Sequence, residues 1–182
     1  MPGYILTGTP GAGKTSILRL LELYGHAVVE EAATAVIALQ QALGSAEWWN
    51  GGAFIDMILD VQQGRQARAR TAGSAPLFFD RSPVCTLALS RYLGLPPSRR
   101  LAAEVDRIVT GTVYEKTAFF VRNQGFVRAT SARRISFEDS LAFEKIHEQT
   151  YRELGFQLVD VPPGPLTERA SLVQQTVQRL RG

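Results

Sequence analysis

The run Gly8-Thr9-Pro10-Gly11-Ala12-Gly13-Lys14-Thr15 constrains this 182-residue chain more than any other feature, because it satisfies G-x-x-x-x-G-K-[ST] at every position. Tyr4-Ile5-Leu6-Thr7 precedes it as a short apolar run, and the stretch from Thr15 to Leu23 follows with apolar positions at helical spacing. The order is therefore strand, glycine-rich turn, helix. Glycines let successive backbone N–H groups turn inward, and a helix start adds partial positive charge, so a turn of this kind cradles phosphate oxygens. Gly8, Pro10, Gly11, Ala12, Gly13, Lys14, Thr15 and Ser16 are the expected nucleotide-binding residues. Lys14 is expected to reach the β and γ phosphates, and the Thr15 hydroxyl to hold Mg²⁺.

The remaining pattern alternates strands with helices. Gly25 stops the first helix; Ala27-Val28-Val29 reads as a second strand, with Glu30 and Glu31 at its end and a helix through Leu43 after it. Ala53 to Arg70 reads as a helix after the Asn50-Gly51-Gly52 break. Pro76-Leu77-Phe78-Phe79 suits a buried parallel strand that delivers Asp80-Arg81-Ser82 to a sheet edge. Helices are expected near Val84 to Tyr92 and Ser98 to Arg107, and a fourth strand near Thr117 to Val121. An irregular polar stretch, Arg122 to Arg134, leads to Ser136, which opens a capping pattern into a helix from Phe137 to Leu154. Gly155 ends that helix, Phe156 to Val161 is the fifth strand, and Leu166 to Leu180 the closing helix. The fold class is α/β: a three-layer α/β/α architecture around a central five-stranded parallel sheet, as one domain over residues 1–182 with a lid at approximately 122–136.

Outside the loop, the chemistry-bearing residues fall where the strands end. Asp80 follows an apolar strand, the Walker-B arrangement that brings a carboxylate beside the phosphate loop to bind Mg²⁺ together with Thr15; the same residue is also placed to cap the next helix. Arg81 can reach an acceptor or a phosphate, or lie in a surface ion pair. One of Glu30 and Glu31 can accept a proton from an attacking hydroxyl or bind an acceptor's hydroxyls, although acidic residues are also favoured simply for opening a helix. Arg128, Arg133 and Arg134 stand where a lid can carry positive charge onto a transferring phosphoryl group. Arg65, Arg68 and Arg70, at helical spacing, read as a solvated polar face. Trp48-Trp49 is either an aromatic wall for an acceptor or packing under a loop. His26, His147 and Cys85 show no partners that point to a metal site or nucleophilic relay.

Composition removes several classes. A net charge of +3, with 17 arginines among 20 basic residues, is too small to mark a nucleic-acid binder, so that partner is not expected. No apolar run reaches transmembrane length and the first residues lack a leader pattern, so a soluble protein of the cytoplasm is expected, with no membrane partner. The single cysteine fits a reducing compartment.

Taken together, GTPGAGKTS, VVEEAA, LFFDRS and FEDSLAFEKIHEQTYRELGFQLVDVP resemble the AAA-domain group of predicted ATPases that is similar to the nicotinamide-riboside kinase domain of the bacterial NAD regulator. The likeness spans nearly the whole chain and extends to the wider nucleoside and thymidylate kinase superfamily, where a glutamate after the second strand and an Asp-Arg or Glu-Arg-Ser run after the third handle the acceptor. The resemblance implies Glu30 or Glu31 as acceptor ligand or base, Asp80 for magnesium or as base, Arg81 for acceptor or phosphate, and Arg133 or Arg134 as lid arginine. No N-K-x-D run for reading guanine is present, and ATP is therefore the expected nucleotide. The function expected is an ATP-dependent kinase acting on a small-molecule acceptor such as a nucleoside; the alternative is a nucleotide-dependent switch with no such acceptor.

Overall fold

A computed structural model describes residues 3–44, 51–69, 76–125 and 136–182. Arg70, Trp48, Trp49, Arg128, Arg133 and Arg134 lie outside the described residues, as does most of the expected lid. The elements run β1 (Gly3–Thr7), α1 (Lys14–Leu23), β2 (Ala27–Val29), α2 (Ala32–Ala42), α3 (Gly52–Ala69) and β3 (Leu77–Asp80). They continue as α4 (Pro83–Tyr92), α5 (Arg99–Thr110), β4 (Tyr114–Val121), α6 (Phe137–Glu153), β5 (Gln157–Val161) and α7 (Leu166–Arg181).

All five strands pair in parallel, in the order β2-β3-β1-β4-β5. The three inner strands are covered on both faces, which is why Tyr4-Ile5-Leu6, Leu77-Phe78-Phe79 and Ala118 to Val121 are unbroken apolar runs rather than alternating ones. On one face, Tyr4, Leu6, Phe78 and Phe119 pack against Ile17, Leu18 and Leu21 of α1 and Ala170, Val173 and Val177 of α7. On the other, Ile5, Phe79 and Ala118 pack against Val84 and Cys85 of α4, Ile108 of α5 and Tyr151 of α6. A third cluster ties α2, α3 and α5 together through Val36, Ile55, Leu59 and Leu101. Helices on both faces of the sheet make the α/β/α layering.

Element ends follow the sequence signals closely. Ser136 Oγ accepts the Asp139 N–H at 3.0 Å and so caps α6, while Gly155 ends it with φ +78°. Register determines the functional edge. Leu6 lies level with Asp80, so the end of β3 stands beside the last residues of β1 as they enter the glycine-rich loop. Gly8 takes φ +122°, and a Cβ there would come within 2.3 Å of the Val121 carbonyl oxygen; only glycine lets the loop leave β1 this close to β4.

Candidate functional site

The loop from Gly8 to Gly13 links the central strand to α1, and Gly13, at φ +91°, is the N-cap residue of that helix. Lys14 begins α1 yet is only 5% exposed, its Nζ donating to the Thr9 carbonyl at 2.7 Å. Burial, and then the Arg81 charge, pull its ammonium down to about 8, against the opposing pull of the Asp80 and Glu31 carboxylates. Thr15 Oγ1 donates to Asp80 Oδ2 at 2.8 Å, so the loop and the end of β3 are joined directly. Asp80 is buried, and burial together with the Glu31 charge raises its carboxyl against Lys14 and Arg81. The alternative in which Asp80 caps α4 is not realised: Ser82 holds the N-cap position, and its carbonyl accepts the Cys85 N–H at 2.9 Å.

Four buried side-chain polar atoms among the described residues have no hydrogen-bond partner: Thr9 Oγ1, Asp80 Oδ1, Arg169 Nε and Glu144 Oε2. Three belong to the loop, its carboxylate neighbour or the side chain packed behind Gly13. Buried groups are rarely left unpaired. The orphaned Asp80 oxygen beside the Thr15 hydroxyl is a hard oxygen pair of the kind that can hold a divalent cation next to phosphates. The residues therefore fit both a polyphosphate and Mg²⁺.

A second group adjoins the first. Arg81 is the non-glycine residue with positive φ among those described, at +72°, and its N–H donates to the Leu6 carbonyl at 3.0 Å. A left-handed arginine costs backbone energy and persists where its surroundings over-determine it. Its Nε donates to Glu31 Oε1, and its Nη1 lies 3.4 Å from His147 Nε2. His147 is fully buried; its Nδ1 stands 3.2 Å from the Phe143 carbonyl, an arrangement in which Nδ1–H donates there and Nε2 faces Arg81. Burial, and then the Arg81 charge, hold this imidazole neutral, well below its usual pKa. For Glu31, burial works to raise the carboxyl, but Arg81 and Lys14 outweigh it and keep it low, at about 2. Glu31 Oε2 also accepts from Thr34 Oγ1 at 2.6 Å.

The two adjacent glutamates diverge. Glu31 faces Arg81, whereas Glu30 is exposed and pairs with Arg19 of α1. Arg65 departs from the expected solvated face: from α3 its Nη1 donates to the carbonyls of Glu30 at 2.9 Å and Glu31 at 2.6 Å, clamping the β2–α2 turn. Two peptide oxygens left over at a strand end are enough to draw it inward. At the start of the expected lid, Arg122 is engaged with Glu144, Glu148 and Asp160, and Asn123 Nδ2 donates to Ser140 Oγ at 3.1 Å.

Sequence reasoning missed His147 and Arg169. For His147 a signal existed: Phe143, His147 and Tyr151 are spaced by four in α6, a stripe whose other members are buried aromatics. Tyr151 OH continues the network, 2.8 Å from Ser82 Oγ and 3.1 Å from Cys85 Sγ, with Thr7 Oγ1 3.2 Å beyond that sulfur.

Comparison with known proteins agrees with this fold. A family model described as an AAA domain matches residues 3–169. Among solved structures, the chain is similar to deoxyadenosine kinase from M. mycoides with dCMP and dCDP bound, at a TM-score of 0.64 and 14% identity over 98% of this chain and 99% of that one. It is also similar to NadR in complex with NAD and AMP-PNP, at a TM-score of 0.67 and 14% identity. That match covers 97% of this chain and 49% of the other, so the chain spans about half the length of NadR. At this identity the likenesses establish the fold, which this chain shares with both proteins. No curated protein matches the chain.

Proposed function

The chain belongs to the AAA-domain family, and from that premise we propose that it is an ATP-dependent phosphotransferase, a kinase that moves the γ-phosphoryl group of ATP to a hydroxyl of a nucleoside-like or other small acceptor. The observation that carries the reading is one connected cluster. Lys14, Thr15 and Asp80 on the loop side adjoin Arg81, Glu31 and His147 on the other, and the charges of Asp80, Glu31 and Arg81 all act on Lys14. A loop that only bound nucleotide would not need the second group.

The loop amides and Lys14 bind the phosphates, and Thr15 with Asp80 would hold the Mg²⁺ that arrives with the nucleotide. Bound there, Mg²⁺ would supply charge neutralisation at the phosphate oxygens. In the transfer, the acceptor oxygen forms its bond to the γ-phosphorus as the bond to the β–γ bridging oxygen breaks, and ADP leaves. A carboxylate held as low as Glu31 is a poor proton acceptor but a good partner for a hydroxyl, so its role is to orient the acceptor while Arg81 keeps it ionised. Little base assistance is required when the transition state is loose, so the acceptor's proton leaves late, to the transferred phosphoryl oxygens or to water, and Asp80 is kept for the Mg²⁺. Arg128, Arg133 and Arg134 are assigned to the lid, at approximately 122–136, as carriers of further positive charge to the transferring group. We take residues 1–182 as one such domain working in the cytoplasm; no helix among the described residues is long and apolar enough to cross a membrane.

The test is a metabolite-library screen for acceptor-dependent ADP release, repeated with Asp80→Asn. Turnover that requires one acceptor class and falls on the order of 100-fold in the variant supports the reading. ADP release indifferent to every acceptor would replace it with the switch-like ATPase, and unchanged magnesium dependence in the variant would remove Asp80 from the metal site.

A further inference from the structure

Arg169 occupies the fourth position of α7 and is 5% exposed. Its guanidinium packs against the residue that closes the phosphate loop: a Cβ on Gly13 would lie 2.8 Å from Nη1. Every partner it has is neutral. Nη2 donates to the Arg122 carbonyl at 3.2 Å, and the Gln124 amide, assigned with its oxygen toward the guanidinium, accepts from both terminal nitrogens. Nε has no partner at all, and no carboxylate pairs with Arg169 among the described residues. Burial lowers the pKa of its guanidinium.

A buried cation without a counter-ion is costly, and evolution usually removes such a group or pairs it. Here the position makes matters worse. The first turn of α7 carries the positive end of that helix, and the guanidinium lies against Gly13, where α1 presents its own positive end. Arg122, by contrast, nearby at the end of β4, is surrounded by three carboxylates. Lys14 is balanced in part by Asp80 and Glu31, and Arg122 by its three carboxylates, whereas no carboxylate among the described residues pairs with Arg169.

We propose that Arg169 is an electrostatic residue of the phosphate site, a fixed positive charge that acts across Gly13 and whose counter-ion is the polyphosphate of the bound nucleotide. This rests on the reading of Gly8 to Thr15 as the nucleotide cradle. The guanidinium is held in place by the Arg122 carbonyl and Gln124, so it needs no reorganisation when the anion arrives. Its contribution grows with the charge of the ligand and is indifferent to the base and ribose.

The experiment compares the unaltered chain with Arg169→Met and Arg169→Lys, titrating adenosine, AMP, ADP and ATP by calorimetry and recording ligand-free melting curves. The expected result is a loss of about tenfold in ATP and ADP affinity for Arg169→Met, an unchanged adenosine affinity, and recovery of most of the loss in Arg169→Lys. The ligand-free melting temperature of Arg169→Met should stay level or rise, since a group with no counter-ion has gone. If Arg169→Met does not fold, Arg169→Gln, which keeps hydrogen-bonding capacity without charge, carries the same series. Equal losses for adenosine and ATP would overturn the proposal in favour of a base or ribose contact. A lowered ligand-free melting temperature with no rescue by lysine would overturn it in favour of a brace between α7 and the end of β4. Normal ATP binding by the unaltered chain, matched by Arg169→Met, defeats this proposal alone; no ATP binding by the unaltered chain defeats it together with the nucleotide reading.

Discussion

The glycine-loop side of the sheet edge and the Arg81 side differ in how their polar groups are satisfied. Around the loop, Thr9 Oγ1, Asp80 Oδ1 and Arg169 Nε are buried and unpartnered, and Lys14 folds back onto the Thr9 carbonyl. Around Arg81 the opposite holds. Glu31 accepts from both Arg81 and Thr34, Arg81 reaches His147, and Arg65 closes the carbonyls of the turn. On the proposed function, the first region awaits a ligand that brings charge and oxygen atoms with it, and the second, finished in advance, offers a ligand a preset surface. Unpaired groups lose more when the ligand is absent, and paired groups lose more when one member is removed.

The contrast can be broken at its strongest point with Lys14→Met. ATP affinity should fall on the order of 1,000-fold, while the ligand-free protein stays folded, because the change removes a buried ammonium whose desolvation outweighs the pull of Asp80 and Glu31. Calorimetric titration beside a circular-dichroism melt checks both halves. Retained ATP affinity in a folded variant would end the assignment of the loop as the nucleotide cradle.

Glu31→Gln probes the preset side. Arg81 would be left buried without its counter-charge, so the ligand-free protein should lose about 3 kcal/mol of stability, and acceptor-dependent turnover should drop about 50-fold with ATP affinity little changed. Denaturant titration and steady-state kinetics with varied acceptor measure the two effects. A variant whose ATP affinity falls as far as its turnover would show that the two regions are one, and that the division drawn between them is false.

The geometry of the loop side was legible in the sequence because it is local. The spacing of Gly8, Gly13, Lys14 and Thr15 needs only eight residues, and the apolar run before Asp80 announces the strand that brings the carboxylate alongside. Helix and strand positions were legible for the same reason, with ends displaced by a few residues at most, as at β4, which begins at Tyr114 rather than near Thr117. The Arg81 side depends on tertiary register. That Glu31 rather than Glu30 turns inward follows from where β2 stops and from Arg65 gripping that turn from α3, 34 residues along the chain. The meeting of His147 with Arg81 spans 66 residues, and an isolated histidine in a helix carries no mark of the arginine it will face. Arg169 is invisible for a further reason: what distinguishes it is the absence of a carboxylate nearby, which only the folded chain reveals.

His147 gives a smaller and more specific signature of the preset side. Its folded-state pKa is depressed, by burial first and then by Arg81, so the unfolded chain takes up a proton near pH 6.5 that the native chain does not. Stability must then fall as pH drops below about 6.5, by about 2 kcal/mol on reaching pH 5. Glu31 does not share that window, because a carboxyl held low loses its stabilising contribution only below about pH 4.5. His26, also shifted down, titrates in the same range, so the comparison needed is between the unaltered chain and His147→Gln, which keeps an acceptor but cannot ionise. Urea denaturation at pH 7.5 and pH 5 should show a shallower loss in the variant; parallel losses would mean that this imidazole is protonated in the native state and that the cluster is less sealed than its geometry indicates.

The smallest expected effect sharpens the comparison from the other direction. Glu30 is adjacent in sequence to Glu31 and carries the same charge, but it is exposed and its partner Arg19 is half exposed as well. Solvent screens such a pair, and the entropy of holding two long side chains together offsets what attraction remains. Glu30→Gln should therefore alter stability by no more than about 0.5 kcal/mol and leave acceptor-dependent turnover within about twofold. Because the neighbouring Glu31→Gln is expected to fail on both measures, the pair of variants separates burial and partnership from mere presence at a strand end. A Glu30 variant that loses turnover as Glu31 does would place the acceptor on the α1 side of the β2–α2 turn, and would make the Arg81 pairing a structural feature rather than the floor of the acceptor site.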